Sequence, residues 1–374
     1  MIQFAVVGAG PVGLYVACLL AAAGRDVVVL DESDGATGSR SIGIHPPALE
    51  ALELAGVAEE LLACGSRIEN ARLMLGADHV GDLPLRDCPG PYSFVLTLPQ
   101  HETERILCDR LERSRPGALR RGTRVVDVRR QRTDMELLLE DGGSLSCRFV
   151  IGCDGRLSRV REALGVPLAG GALKHHYLMA DMPEDGMLGE DAAISLGAEG
   201  VVESFPLPGQ RRRWVARFSV RPDGLTAQDL VDAIRNRTGI VVDPGDAPAS
   251  AFTAEKRFAT RLAGGGWALA GDAAHVVSPI GGQGMNLGLL GGRALVEALI
   301  GGAAEAAAGA AQGGLPEYDR RQRARARASA RRAGLNMFLG SERLPNFVRS
   351  AALRTVLLPG LQPRFARYFT MRGL

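Results

Sequence analysis

Ile2-Gln-Phe-Ala-Val-Val-Gly8-Ala-Gly10-Pro-Val-Gly13 is the stretch on which the fold of this chain turns. A short apolar run that stops at glycine reads as a buried parallel strand, and the apolar content of Val12 to Ala23 reads as the buried helix that follows it. Asp26-Val-Val-Val-Leu30 is then a second strand, with Asp31 at its tip. A Gly-x-Gly-x-x-Gly run between strand and helix, with an acid about 20 residues on, is a dinucleotide fingerprint in the context that gives it meaning. The first two glycines allow a tight turn and the close passage of a pyrophosphate, the third lets helix pack on strand, and the acid binds a ribose. Gly8, Gly10, Pro11, Val12 and Gly13 are therefore expected at the pyrophosphate and Asp31 and Glu32 at the ribose. The fingerprint alone does not choose between NAD and FAD.

Two further stretches repeat the theme of a carboxylate at a strand end. Gly271-Asp-Ala-Ala-His-Val-Val-Ser-Pro-Ile-Gly-Gly-Gln-Gly-Met-Asn-Leu-Gly288 follows the strand-like Trp267-Ala-Leu-Ala and runs into a helix at Leu287-Gly-Leu-Leu. Asp272 then stands at the edge where open α/β sheets bind ligands, and Gly281, Gly282 and Gly284 let backbone N–H groups approach a ligand at a helix N-terminus. A carboxylate for a sugar hydroxyl beside a nest for an anionic or electron-rich edge suggests a large cofactor, the alternative being a glycine-rich connection without a ligand. The buried strand Phe149-Val-Ile151 likewise ends in Gly152-Cys-Asp-Gly-Arg-Leu-Ser-Arg-Val-Arg161, with Asp154 before a glycine and a helix starting near Ser158.

Between these stretches the chain changes character twice. From Ile68 to Leu98 short strands interrupted by Gly and Pro read as a visit to another domain, and the segments 177–181, 192–196, 201–207 and 213–220 form a β-rich section. Trp214, Ala216 and Phe218 alternate there with Arg213, Val215 and Arg217, which predicts one apolar face and one carrying arginines. Helices are expected at Leu49 to Val57 (apolar face Leu49, Leu52, Leu54, Val57), from Pro99 through Leu111, and at Ala227 to Thr238; a hairpin is expected around Asp141-Gly142-Gly143. Ala294 to Gln312 reads as a helix fraying into a loop, Glu317 to Ala333 as a basic helix whose arginines lie all around it, and Leu335 to Leu374 as helices packed on the body.

A chain of 374 residues has room for two or three domains of roughly 100–200 residues each. A net charge of +2 gives no global argument for nucleic acid. The six dispersed cysteines show no C-x-x-C pair, which argues against a redox dithiol or structural zinc, implies no metal and fits a cytoplasmic setting. No basic leader precedes the first strand, and no segment reaches about 18 uninterrupted apolar residues, so neither a signal peptide nor a membrane span is expected.

Four motifs in order, Gly8-x-Gly10-x-x-Gly13, Cys153-Asp154-Gly155-x-x-Ser158-x-Val160-Arg161, Gly271-Asp272-Ala-Ala-His275 and Pro279-x-Gly-Gly-Gln-Gly-Met-Asn286, closely resemble those of the group A flavoprotein monooxygenases, the aromatic hydroxylases of the p-hydroxybenzoate hydroxylase fold. The resemblance extends over nearly the whole chain, and from Tyr318 onward it is most similar to the ubiquinone-biosynthesis hydroxylase branch. It implies an α/β fold, with a Rossmann-type FAD-binding domain (1–70, 98–172 and 262–334), an inserted β-sheet substrate domain (71–97 and 173–261) and a C-terminal helical region (335–374). It also implies FAD as cofactor and NADPH or NADH bound transiently, since there is one dinucleotide fingerprint and not two. Transferred residue by residue, it places Arg40 and Gln100 on the cofactor, Asp154 and Gly155 in a motif associated with both FAD and nicotinamide, and Gly271 and Asp272 on the ribityl or pyrophosphate region. Pro279, Gly282, Gln283, Gly284, Met285 and Asn286 border the isoalloxazine ring. Two departures stand out: relatives often carry Asp where this chain has Gly291, so the helix there is expected to be less tightly anchored, and a chain ending at Leu374 leaves no room for a thioredoxin-like third domain.

The implied reaction is hydroxylation of a hydrophobic aromatic or polyketide-like molecule by O₂ through a flavin C4a-hydroperoxide, with the cofactor carrying the hard chemistry. His45 is the candidate base or polarising group and Pro279 the second residue expected at the chemistry; a structural role for His45 stays open. Structural packing is the reading for His275, while His175 and His176 are candidates to line the mouth of the β-rich section. Arg213 and Arg217 face either an anionic group or solvent. A reductase of the geranylgeranyl reductase type and a non-catalytic flavin-binding protein are the rivals, and a homodimer is left open.

Overall fold

The computed structural model describes residues 2–35, 41–184, 186–221, 224–306, 314–340 and 344–373, with backbone alone over 302–306. In its first sheet Ile2–Val7 lies parallel between Val27–Leu30 and Ser144–Gly152, and Ser144–Gly152 lies parallel to Trp267–Leu269. The short apolar runs are buried because helices cover them: Val29, Leu30, Val150, Ala268 and Leu269 are fully buried. Parallel alignment brings their carboxyl ends, and so Gly8, Asp31, Cys153 and Gly271, to one edge. The helix Pro11–Ala22 packs between Gln100–Ser114 and Gln283–Ala306. The hairpin at 141–143 joins Met135–Leu139 to Ser144–Gly152 as expected.

A second sheet runs His275–Val276, Ser250–Ala259, Leu168–Pro183, Arg211–Phe218, Gly200–Leu207, Ala192–Gly197, Asn70–Leu75 and Asp78–Pro84. The visit after Ile68 thus delivers two strands to the β-rich section, and its strand Asn70–Leu75 pairs parallel with Ala192–Gly197. One face is covered by Ala227–Thr238, whose Leu230 and Ile234 meet Leu178, Trp214 and Ala216. That helix starts at a Thr226–Asp229 capping box and stops at Gly239, in the left-handed region at φ +73°. The other face meets Asn346–Val356 and Gln362–Phe369 through Leu353, Val356 and Ala366, so the tail does pack as helices on the body. A small third sheet joins Gly43–Ile44, Val95–Thr97 and Ser66–Ile68.

Three expectations about faces need correction. Leu54 is 54% exposed while Leu49 and Leu52 are fully buried, because two residues turn a side chain by about 200° around a helix. The arginine face of Arg211–Phe218 is not solvent-facing, since the tail helices cover it. Arg213 holds Asp181 through Nε at 2.6 Å and Nη2 at 2.8 Å, and Arg217 Nη1 donates to the Gly340 carbonyl at 3.0 Å. The basic helix, Leu315–Leu339, buries a stripe of Tyr318, Gln322, Ala326, Ser329, Ala333 and Met337. Between Tyr318 and Met337 small and polar residues make that stripe, so hydrophobic periodicity does not reveal it.

Candidate functional site

At the strand edge the backbone is shaped by close approach. Gly8 has φ +103°, and a Cβ there would stand 2.5 Å from the Cys153 carbonyl oxygen; a Cβ at Gly13 would stand 2.0 Å from the Gly8 oxygen. No side chain fits between these strands and the helix. Gly10, by contrast, faces open space. Asp31 braces this turn: Oδ2 accepts the Ala9 N–H at 2.5 Å, while Oδ1 accepts the Ser33 N–H at 3.0 Å and the Ser33 hydroxyl. Glu32 is exposed and pairs with Arg124 at 3.1 Å.

A cavity of about 680 Å³ opens from this edge to the second sheet. Its first wall takes Gly10, Pro11, Val12, Gln100, Gly155, Gly271 and Asp272, with Pro279 to Gly282, Gly284, Met285 and His45. Its second wall is the sheet face that carries Arg213 and Val215, with Leu73, Met179 and Ile194 beside them, closed by Leu353 and Val356. Gly8, Gly13, Asp31, Asp154, Gln283 and Asn286 stand off the cavity and hold its wall in place, Glu32 lies off the cavity at the surface, and Arg40 lies outside the described residues.

The glycine loop is fixed from behind. Gly281 and Gly282 are left-handed at φ +77° and +64°, and the Gly282 N–H donates to the Pro279 carbonyl at 2.9 Å to close the turn. Asn286, fully buried, donates Nδ2 to the carbonyls of Gly282 at 2.6 Å and Gly43 at 2.8 Å, and its Oδ1 accepts the His45 N–H at 2.7 Å. Gln283 accepts from the Ser329 hydroxyl at 2.6 Å. Amides in the first turn of Gln283–Ala306 have no partner within the helix, and the dipole adds positive charge there.

Burial lowers His45 to about 4, so the imidazole is neutral at physiological pH. Its Nε2, 3.1 Å from the Gly281 carbonyl oxygen, therefore carries the proton and donates it, leaving Nδ1 buried as an acceptor without a partner among the described residues. Asp154 caps the helix Arg159–Ala163: Oδ1 accepts the Ser158 hydroxyl at 2.5 Å and Oδ2 the Val160 N–H at 3.0 Å, while burial raises its carboxyl. Asp272 is exposed on the wall of the open cavity, and the protein around it pushes its carboxyl up to about 6 against the lowering effect of Arg156. Arg156, also on the wall, is held by Glu255 at 2.9 Å.

His275 is buried and accepts at Nε2 from Gln322 Nε2 at 3.0 Å, a packing role as expected. Gln322 also donates to the Leu287 carbonyl at 3.0 Å, and a Cβ at Gly291 would stand 2.4 Å from its Nε2. The missing side chain at Gly291 thus admits an anchor from the next helix, and the looser anchoring expected there is corrected. His175 and His176 do not line the cavity; His176 Nδ1 meets the Thr253 hydroxyl at 2.9 Å. Two acidic wall residues escaped the sequence reading altogether, Glu203 and the Arg156 partner Glu255. Glu203 is 7% exposed, lines the apolar wall, and is pushed up to about 7 by burial. Its signal was the alternation of Val201-Val-Glu-Ser-Phe205, which puts an acid on the apolar face.

Known proteins resemble this chain over most of its length. The family model described as "FAD binding domain" matches residues 1–333. The 6-methylpretetramide 4-monooxygenase of Streptomyces rimosus is 34% identical over 301 residues, 77% of this chain and 53% of that protein. The dialkyldecalin synthase of Streptomyces rugosporus is 31% identical over 296 residues, 76% of this chain and 62% of that protein. This chain therefore spans between about half and two thirds of the length of these relatives. The crystal structure of p-nitrophenol 4-monooxygenase from Pseudomonas putida superimposes with a TM-score of 0.89 at 22% identity, covering 100% of this chain and 98% of that one, a likeness of fold. No helix of the described residues is long and apolar enough to cross a membrane.

Proposed function

The chain belongs to the FAD-binding-domain family in the branch of the group A flavin monooxygenases, and from that premise we propose that it is an FAD- and NAD(P)H-dependent monooxygenase acting on a hydrophobic aromatic or polyketide-like small molecule. The observation that carries this reading is the single cavity joining a glycine-built dinucleotide edge to an apolar sheet face. Gly10 fronts open space where a phosphate needs it, Asp272 offers an open carboxylate, and the first-turn amides at Gly284 and Met285 lie at the wall, so the residues fit FAD. The proposed division is 1–70, 98–172 and 262–334 for the cofactor, 71–97 and 173–261 for the substrate, and 335–374 as a helical cover.

In this reading Gly8 to Gly13 shape the pyrophosphate turn, Asp31 and Glu32 take the adenosine ribose, and Arg40, Gln100, Asp154 and Gly155 complete the cofactor's surroundings. Gly271 and Asp272 hold the ribityl chain, and Pro279 with Gly282 to Asn286 frames the ring. Bound FAD supplies passage of electrons from reduced nicotinamide to O₂ and delivery of one oxygen atom to the substrate. The protein binds, orients and excludes water. His45 acts by positioning: its N–H at Nε2 holds the Gly281 carbonyl and its backbone is pinned by Asn286, so the loop under the ring keeps one shape. O₂ as co-substrate belongs to the same reading, as does a cytoplasmic setting, which six free cysteines support.

The test is NAD(P)H oxidation by the FAD-loaded protein, with O₂ uptake followed in parallel against phenols and polycyclic aromatics. A substrate that accelerates both and gains one oxygen supports hydroxylation. Conversion with NAD(P)H but without O₂ identifies a reductase, and conversion with neither overturns the redox reading. FAD binding without any turnover identifies a non-catalytic flavoprotein.

A further inference from the structure

Register places one carboxylate in the middle of an apolar row. Leu73 pairs with Ile194, Ile194 with Glu203, Glu203 with Val215, and Val215 with Met179, so these five residues cross the sheet side by side. All five line the cavity. Glu203 is more than nine-tenths buried and has no hydrogen bond or ion pair among the described residues. Arg213 and Arg217, on the neighbouring strand, are directed elsewhere, to Asp181 and to the Gly340 carbonyl. Tyr177, stacked on Phe252 at 5.2 Å, makes no hydrogen bond with it. A carboxylate held in an apolar wall without a donor is costly, and a ligand that brings the donor removes that cost.

We propose that Glu203 reads the polarity of the substrate: it accepts a hydrogen bond from an O–H or N–H donor on an aromatic ring and excludes ligands that bring a carboxylate to that point. The inference rests on the cavity being the substrate site of the proposed function. Burial acts in the same direction, because a carboxyl raised to about 7 is held in the charged form by a bound donor and opposed by a bound anion. The other titratable or charged groups on the cavity wall are His45, Cys153, Arg156, Arg213, Glu255 and Asp272; of these Arg213 shares the sheet with Glu203 and is neutralised by Asp181.

Calorimetric binding to the full-length, FAD-loaded protein at pH 8 tests this with three probes of one shape: 2-naphthol, 2-methoxynaphthalene and 2-naphthoate. Wild type should prefer the naphthol over its ether by roughly tenfold, the worth of one hydrogen bond to a charged group, and should bind the naphthoate most weakly. Glu203→Gln should shrink the naphthol preference to about threefold or less and strengthen naphthoate binding. Glu203→Asp keeps the charge and should keep the exclusion of naphthoate. Equal binding of naphthol and ether by wild type, binding of none of the three, or an unchanged selectivity in a flavin-loaded Glu203→Gln protein overturns the proposal. If Glu203→Gln does not fold, the wild-type series and Glu203→Asp still decide it. Selectivity without O₂ uptake leaves Glu203 in place and removes the hydroxylase reading; hydroxylation with selectivity independent of residue 203 does the reverse.

Discussion

The two walls of the cavity are made by different means. The dinucleotide edge is made of backbone: left-handed glycines, and a helix set against a strand at a distance that admits no side chain. The sheet wall is made of side chains, with a cross-strand row whose members are judged by volume and polarity. The first kind of wall fails at the addition of one carbon, and the second degrades in proportion to what is removed. Gly13→Ala, whose Cβ meets the Gly8 oxygen at 2.0 Å, should destabilise the protein by roughly 4 kcal/mol or more and abolish flavin retention. Leu73→Ala on the sheet wall should cost roughly 2–4 kcal/mol and keep the flavin. Flavin content and urea unfolding of the two variants check the contrast, and a flavin-replete Gly13→Ala protein would erase it.

Asn286 joins the glycine loop to the distant segment at Gly43 and His45, and it shows how the backbone wall depends on one side chain. Asn286→Ala removes three hydrogen bonds and leaves the His45 N–H and the Gly43 and Gly282 carbonyls without their partner. A loss of roughly 3 kcal/mol is expected, at about 1 kcal/mol for each bond, together with weaker flavin binding. Unchanged unfolding with weaker flavin binding would instead mean that the loop is set by the cofactor.

What could be read from the sequence follows the same division. The strand, Gly8-x-Gly10-x-x-Gly13 and helix are neighbours in sequence, so the parallel edge was legible from local pattern alone. A helix near Ala227–Thr238 was legible too, and the capping box and terminal glycine that bound it in the structure are local. Asn286 was expected to border the ring, but its partners Gly43 and His45 lie 243 and 241 residues away, and no periodicity carries that information. The surroundings of Arg213 and Arg217 stayed open in the sequence for a related reason, since what covers Arg217 is Gly340 from the helical tail. Glu203 left a visible sign, an acid at an apolar position of an alternating strand, but its position on a cavity wall needed the register of five strands.

Gly291 and Gln322 give a smaller and more selective test, because here a glycine serves a side chain. Gly291→Ala should cost roughly 2 kcal/mol by pushing the Gln322 amide off the Leu287 carbonyl and His275. In a Gln322→Ala background that penalty should largely vanish, since the methyl group then enters vacated space. The double-mutant cycle in urea unfolding measures the coupling, and additive losses would mean that Gly291 is needed for the backbone and not for Gln322.

The smallest effect is expected at Glu203 and is read through pH. Its carboxyl is raised from the usual 4.5 to about 7, so between those values the folded chain binds more protons than the unfolded chain and stability falls as pH rises. His45 and His275 are lowered from 6.5 to about 4, so their contribution runs the other way, rising from about pH 4 to about pH 6.5. Asp272, raised from 3.8 to about 6, adds a fall over its own window. In wild type these trends overlap and conceal one another; subtracting the stability curve of Glu203→Gln from that of wild type cancels all but the first. The difference should decline steadily from about pH 4.5 to about pH 7 and then level off, with the variant roughly 1–2 kcal/mol more stable at pH 8 after the burial cost of its own amide. A flat difference would mean that the carboxylate finds a donor within the protein, and the sheet wall would then be as self-contained as the glycine edge opposite.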